Sequence, residues 1–359
     1  MIRKFIKTFS LLKTILLRKK VDGTGVALVK LDAIGDFFIL LSVLKLIDKN
    51  ELEEKKLTIF CSHILVTLGE NFYPVIDWVG VDLKKFEASG FYRAKLLSNF
   101  KNKSFSTVIN LVYSRDWKSD FLVSSLTSSH KLCFFGDLAK QGRLGRWLGA
   151  KAYDQRLTGK CLTEFDSLKA ILGEVLNIDY SKWSVERVTK GSYIVIFPGA
   201  SWFGKAWPAE NFKKVIGKIL IDTNLDIKIC GGPSDKHLEV HFKDLLNNRV
   251  EVLIGNTSLL QLSDLINKAR SILTNDTSAA HMAQYFGTKG VALIGGGHFG
   301  RFLPYSNASN RVDSVKVINK KMPCYGCNWN CHFEHGSGAV PCISEISWEE
   351  AYSELKVFL

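Results

Sequence analysis

Three segments of this chain place an acid, a lysine or a set of hydroxyls directly behind a short apolar run. In the first, Lys30-Leu31-Asp32-Ala33-Ile34-Gly35-Asp36 closes the run VALVKL at 26–31. Gly35 permits a tight turn, and Asp36 falls where the apolar stretch from Phe37 to Ile47 would begin a helix. A carboxylate there has two uses. As an N-cap it accepts backbone N–H bonds worth about 1 kcal/mol; facing a cleft it serves as a general base. The dinucleotide fingerprint G-x-G-x-x-G is missing at this turn, since Gly23 and Gly25 precede the apolar run.

The second segment is Phe197-Pro198-Gly199-Ala200-Ser201, followed by Lys205-Ala206-Trp207-Pro208 and Ala209-Glu210-Asn211-Phe212. A small-residue turn, a lysine and a proline suited to the first turn of a helix form a loop that offers a point charge and free N–H groups to a phosphate. Lys205 is expected to carry that charge, with Ser201 a weaker donor contact. The third segment, Thr274-Asn275-Asp276-Thr277-Ser278-Ala279-Ala280-His281, leads from a strand into a helix whose first turn carries hydroxyls. Uncovered N–H groups and the positive helix end make an anion site there. Asp276 either caps that helix or hydrogen-bonds near a departing diphosphate, and Thr277 and Ser278 bring hydroxyls to the same end. His281, one turn in, either faces the donor or packs between helix and sheet. In Gly231-Gly232-Pro233-Ser234-Asp235 the acid stands where a ribose hydroxyl would be held, so Asp235 is the expected ribose ligand.

Four of the eight cysteines fall in one pattern, Cys324-x2-Cys327-x3-Cys331-x10-Cys342, with His332 and His335 close by. Thiolates on a tight turn suit a structural tetrahedral zinc or iron site; free thiols and disulfides are the other readings, the last being least at home in a reducing compartment. Cys61, Cys133, Cys161 and Cys230 lie in apolar surroundings and read as ordinary buried thiols.

These segments need strands to position them. VALVKL (26–31), LTIFCS (57–62), TVINLV (107–112) and KLCFFG (131–136) form one series of buried runs; YIVIFPG (193–199), IKICGG (227–232), VEVLIG (250–255), SILTN (271–275) and GVALIGG (290–296) form a second. Each run is separated from the next by helix-length sequence, which implies an α/β protein with parallel sheets and right-handed crossovers. The polar stretch Lys182 to Ser192 is the expected linker, and 359 residues suit two cores better than one. The organisation expected is a basic amphipathic helix over 1–20, one Rossmann-like domain over 21–185, a second over 190–345 and a final helix over 346–359, opened by the capping pair Ser347 and Glu350. Doubly wound domains keep their ligand crevices at the carboxyl ends of their strands, so two facing domains would share one cleft.

A net charge of +13 calls for an anionic partner. Much of it sits in the first 20 residues, where Arg3, Lys4, Lys7, Lys13 and Arg18 interleave with apolar side chains at helical spacing. Lysines break every apolar run there, where a secretory signal or a spanning helix would need an unbroken one, so the chain is expected to stay in the cytoplasm. Such a helix lies either on an anionic leaflet or on its own domain. No recognised nucleic-acid module is present, so nucleic acid is not an expected partner.

Taken in order, LDAIGD, PGAS with KAWPAENF, GGPSD and NDTSAAHMAQYFGT resemble the heptosyltransferase family of bacterial lipopolysaccharide synthesis, glycosyltransferase family 9. The resemblance covers residues 25–345 and implies the GT-B architecture, two Rossmann-like domains facing across a cleft, the first binding the acceptor and the second the nucleotide sugar. It implies an inverting glycosyltransferase that uses ADP-heptose, needs no catalytic metal, and acts on lipopolysaccharide core or another envelope glycan at the inner face of the inner membrane. The resemblance implies that Asp36 matches the family's catalytic aspartate, Lys205 its phosphate-contacting lysine, and Asp276 and Thr277 its phosphate loop. The chain has Ser278-Ala279 where the family has Gly-Pro, and Asp32-Ala33 where it has a hydroxyl pair. A protein heptosyltransferase acting on autotransporters and a non-catalytic nucleotide-sugar-binding module are the alternatives.

Overall fold

A computed structural model of the chain describes residues 10–16, 20–134, 136–137, 140–157, 163–180, 191–305, 313–336 and 338–359. Most of the expected linker, most of the expected N-terminal helix and Cys161 lie outside these residues. The chain divides into two compact units, one of Met1–Phe37, Val43–Cys161 and Ser167–Trp183, the other of Phe38–Ser42, Leu162–Asp166 and Ser184–Leu359.

The first unit is built on a sheet of β1 (Val26–Lys30), β2 (Leu57–Ser62), β3 (Asp77–Val81), β4 (Ser104–Asn110), β5 (Thr127–Phe134) and β6 (Gln155–Leu157). The second is built on β7 (Tyr193–Phe197), β8 (Asp226–Ile229), β9 (Val250–Val252), β10 (Ser271–Asn275), β11 (Gly290–Leu293) and β12 (Val315–Ile318). Neighbouring strands pair in parallel throughout both sheets. Their orders are β3-β2-β1-β4-β5-β6 and β12-β11-β10-β7-β8-β9. Counted from its own first strand, the second sheet repeats the order of the first. In each, chain direction across the sheet reverses at one junction, β1/β4 and β7/β10, and crevices open beyond the carboxyl ends of the strands at such junctions.

Each of the nine apolar runs supplies a strand. The three strands without such a run are β3, β6 and β12, each at a sheet edge. An edge strand is covered less completely than a central one: β3 and β12 mix buried with half-buried and exposed positions, and β6 has three residues of which two are exposed.

The core of the second unit gathers around helix Ala209–Asp222, which buries Phe212, Val215, Ile216 and Ile219 on one stripe. Each such side chain contributes about 1.5–3 kcal/mol relative to exposure. Helix Ser278–Phe286 is buried from Ala279 to Tyr285 and ends at Gly287, whose φ of 72° makes the left-handed cap. In the first unit residues 10–16 are helical; Leu11 is buried in that unit's core, with Leu12 and Ile15 packed against it. Leu11, Leu12 and Ile15 of this helical segment therefore lie on their own domain, with Thr14 Oγ1 2.6 Å from Ser124 Oγ, while Lys13 and Leu16 are exposed.

Candidate functional site

At the β1/β4 junction, helix Ile34–Leu44 begins before Asp36. Asp36 is its third residue, and Gly35 is already helical, so the turn is made by Asp32 and Ala33 rather than at Gly35. The Asp36 Oδ2 accepts the Ala33 N–H at 3.1 Å, a backward bond from inside the first turn; the side chain is partly exposed. Lys30, the last residue of β1, is buried, with its Nζ 3.1 Å from Asp32 Oδ2 and 3.3 Å from the Leu111 carbonyl. Behind β4 lies a polar cluster that no motif announced. Arg115, 3% exposed, stands 3.8 Å from Asp120 Oδ1 and 4.8 Å from the Tyr153 ring centre. Asp120 also accepts from Tyr153 Oη at 2.5 Å and Gln141 Nε2 at 2.7 Å. Burial pushes the Asp120 carboxyl above its ordinary value, against the pull of Arg115. An arginine and an aspartate five residues apart were too ordinary a pattern to reveal this buried group.

At the β7/β10 junction of the second unit, the loop after β7 and the turn after β10 meet. Asn275, fully buried at the end of β10, ties them: its Nδ2 donates to the Pro198 carbonyl at 2.7 Å and to that of Gly199 at 3.2 Å, and its Oδ1 accepts the Trp207 N–H at 3.2 Å. The Trp207 indole N–H donates to the Ile346 carbonyl at 2.9 Å. The signal for Asn275 was present in SILTN, where an amide closing a buried strand must find partners.

Lys205 ends a short 3-10 turn, Phe203–Lys205. Its Nζ lies 3.5 Å from Asp276 Oδ2, and the two side chains are 15% and 8% exposed. The structure therefore brings Lys205 and Asp276 together. Thr277, not Asp276, is the N-cap of helix Ser278–Phe286: its Oγ1 accepts the Ala279 N–H at 3.3 Å and stands 3.1 Å from Thr274 Oγ1. Ser278 is half-buried at that helix end and Ser201 is exposed on the loop.

Asp235 and His281 are placed differently. Asp235 is 7% exposed, with Oδ2 accepting the Gly232 N–H at 2.8 Å, and burial pushes its carboxyl above the ordinary value despite that bond. A Cβ at Gly199 would stand 2.3 Å from this carboxylate, so only glycine lets the β7 loop rest on it. His281 is 5% exposed, stacks on Tyr305 and has Nδ1 3.0 Å from the tyrosine hydroxyl.

The four clustered cysteines line one cavity, together with Met322 and Phe333. Cys342 is buried, its Sγ accepting the Gly296 N–H at 3.4 Å. Burial raises its thiol, and the other three sulfurs add to that rise. All four are free thiols, and among the described residues no three of them lie within 4.8 Å of one another. The donor set suits a soft metal ion, which would have to draw the sulfurs inward. His335 packs edge-on against Trp202. Elsewhere, burial pushes the Cys61 and Cys230 thiols up to about 12 and that of Cys133 up to about 11, as expected for packed side chains.

A sequence profile of Glycosyltransferase family 9 (heptosyltransferase) matches residues 93–329, from the first unit through the Lys205 and Asp276 loops to Trp329. The chain belongs to glycosyltransferase family 9. The family 9 chain is 24% identical over 281 residues to the lipopolysaccharide core heptosyltransferase OpsX of Haemophilus influenzae, covering 73% of this chain and 75% of that one. Its fold is shared with a glycosyltransferase of family 9 from Veillonella parvula, at a TM-score of 0.70 and 17% identity over 95% of this chain and 98% of that one. It is shared also with the ADP-heptose lps heptosyltransferase II of E. coli, at a TM-score of 0.66 and 17% identity over 93% and 98%. Family 9 membership makes this protein a glycosyltransferase, and its two parallel six-stranded sheets are those of the GT-B class.

Proposed function

We propose that this glycosyltransferase moves heptose from ADP-heptose onto a hydroxyl of lipopolysaccharide core or a related envelope glycan, by one displacement that inverts the anomeric carbon. The observation that carries the reading is the Lys205 ammonium, held 3.5 Å from Asp276 at the junction of β7 and β10, beside the capped start of helix Ser278–Phe286. An ammonium and a helix N-terminus together oppose the charge that grows on a departing diphosphate. Thr277, Ser278 and Ser201 supply hydroxyls to the same anion. Asp36 takes the proton from the attacking hydroxyl, the role of a general base. In this reading Asp235 and His281 act from beneath, bracing the Gly199 loop and the Tyr305 ring. The choice of ADP-heptose and of a lipopolysaccharide acceptor follows the named activities of the relatives.

Lys205 and the helix end meet the diphosphate charge without a catalytic metal. A structural zinc or iron ion is assigned to Cys324, Cys327, Cys331 and Cys342, whose thiols share one cavity. Metal analysis of protein purified without chelator, beside C327A, tests this; equal metal in both would remove the assignment. At an anionic inner leaflet the exposed basic side chains, rather than the packed apolar ones, would make contact. No described helix is long and apolar enough to cross a membrane.

The deciding experiment offers purified protein ADP-heptose, other nucleotide sugars, lipopolysaccharide core acceptors and an autotransporter polypeptide, with products read by mass spectrometry. Transfer to the core from ADP-heptose is expected. Transfer only to the polypeptide, or only from another donor, would overturn the acceptor or donor assignment.

A further inference from the structure

Lys205 has a second neighbour besides Asp276. Its Nζ lies 4.3 Å from the centre of the Trp329 ring, close enough for the negative face of an indole to attract the cation. With its side chain 15% exposed, the ammonium has lost much of its water, the condition under which that attraction is strongest. The two neighbours act differently on an incoming diphosphate. Asp276 opposes it with a full negative charge; the ring attracts the lysine while carrying no net charge. A ring face can therefore fix the ammonium without neutralising it.

The ring, carried by the cysteine-bearing segment, is held by Trp202 and the loop around Gly297 and His298. It lies over Gly297, where a Cβ would stand 2.4 Å away, and is met edge-on by Trp202 at 6.1 Å and His298 at 5.9 Å. Asn328 and Trp329 both adopt left-handed backbone, φ 51° and 64°, which asparagine takes readily but a bulky tryptophan rarely does. The turn is fixed by Asn328, whose N–H donates to the Gly297 carbonyl at 3.1 Å and whose Oδ1 lies 2.6 Å from His298 Nε2. Next to it the Gly326 N–H donates to the Gly296 carbonyl at 2.8 Å. The indole N–H is buried with no hydrogen-bond partner among the described residues, so packing and not its polar end orients the ring. Trp329 also lines the cavity of the four cysteines.

We propose that Trp329 is a positioning residue for Lys205: its ring face holds the ammonium ready for the diphosphate, so the cysteine-bearing segment sets donor affinity. This rests on Lys205 gripping the donor diphosphate. A lysine fixed in advance loses less side-chain freedom when the anion arrives.

The test titrates ADP calorimetrically into the full-length wild type, K205A, W329F, W329L and the double variant W329L/K205A, with donor KM and kcat measured alongside. W329L is expected to weaken ADP about 3- to 30-fold and to raise donor KM more than it lowers kcat. W329F should recover most of the loss, because it restores a ring face. In the double variant W329L should add nothing to K205A, since the partner is gone. ADP binding by W329L equal to wild type, or an equal further loss in the K205A background, would overturn the inference and leave the role of Lys205 standing. Wild-type protein that ignores ADP, or K205A that binds it as well as wild type, would remove both. Circular dichroism and melting check folding; should W329L fail to fold, W329M fills the space with a flexible thioether and is judged by the same outcomes.

Discussion

Replacing Asp36 by Asn keeps the size and the bond to the Ala33 amide but removes the base. Turnover is expected to fall by about 10²–10⁴-fold, the usual contribution of a general base, while ADP binding measured by calorimetry stays within a few fold. Turnover close to wild type would show that another group takes the proton. K205A should instead weaken both ADP binding and turnover, because its charge serves the ground state and the departing diphosphate alike. These two residues stood out in the sequence because each lies on the segment that follows a strand and is of a type that chemistry needs; their roles are those proposed for them. Asp235 and His281 were harder to place. Sequence shows where an acid or an imidazole falls along the chain, whereas Gly199 against the Asp235 carboxylate and Tyr305 against His281 are contacts between distant segments. Trp329 was invisible for the same reason, since nothing near it in sequence mentions Lys205.

Helix Ser278–Phe286 depends on its cap. T277A removes the oxygen that accepts the Ala279 N–H and should cost about 1 kcal/mol of stability, read as a lower denaturant midpoint, together with weaker ADP binding. T277S should restore both. The segment Gly296–His298 adds a dependence on pH. Burial lowers the His298 pKa below its usual 6.5, and Arg301 and Lys205 lower it further against the bond to Asn328. A folded value below the unfolded one means that the unfolded chain binds more protons in that window, so stability rises with pH there. Acidification from pH 7 through about 6.5 should therefore destabilise the second unit, and H298Q should flatten that part of the melting profile. An unchanged slope in H298Q would assign the effect elsewhere. The central strands were readable as apolar runs. Edge strands β3, β6 and β12 were not, since half-covered residues need no continuous apolar stretch.

The whole chain repeats one strand order in two units, and the alternation of apolar runs with helix-length segments was enough to read that architecture. What the pattern could not say was where residues 10–16 spend their apolar side, because a stripe fits a lipid surface and a protein core equally well. Leu11, Leu12 and Ile15 are on the core. Binding of the full chain, net charge +13, to vesicles containing phosphatidylglycerol should accordingly be electrostatic. Sedimentation with such vesicles at low salt should be lost near 1 M salt, where charges are screened within about 3 Å; retention there would indicate apolar insertion. The deep placement of Cys61, Cys133 and Cys230 has a practical corollary. Alkylating agents act on ionised, reachable sulfur, so iodoacetamide added to the native enzyme should leave these three unmodified, and peptide masses would then report the occupancy of the C-terminal knuckle without any engineered handle.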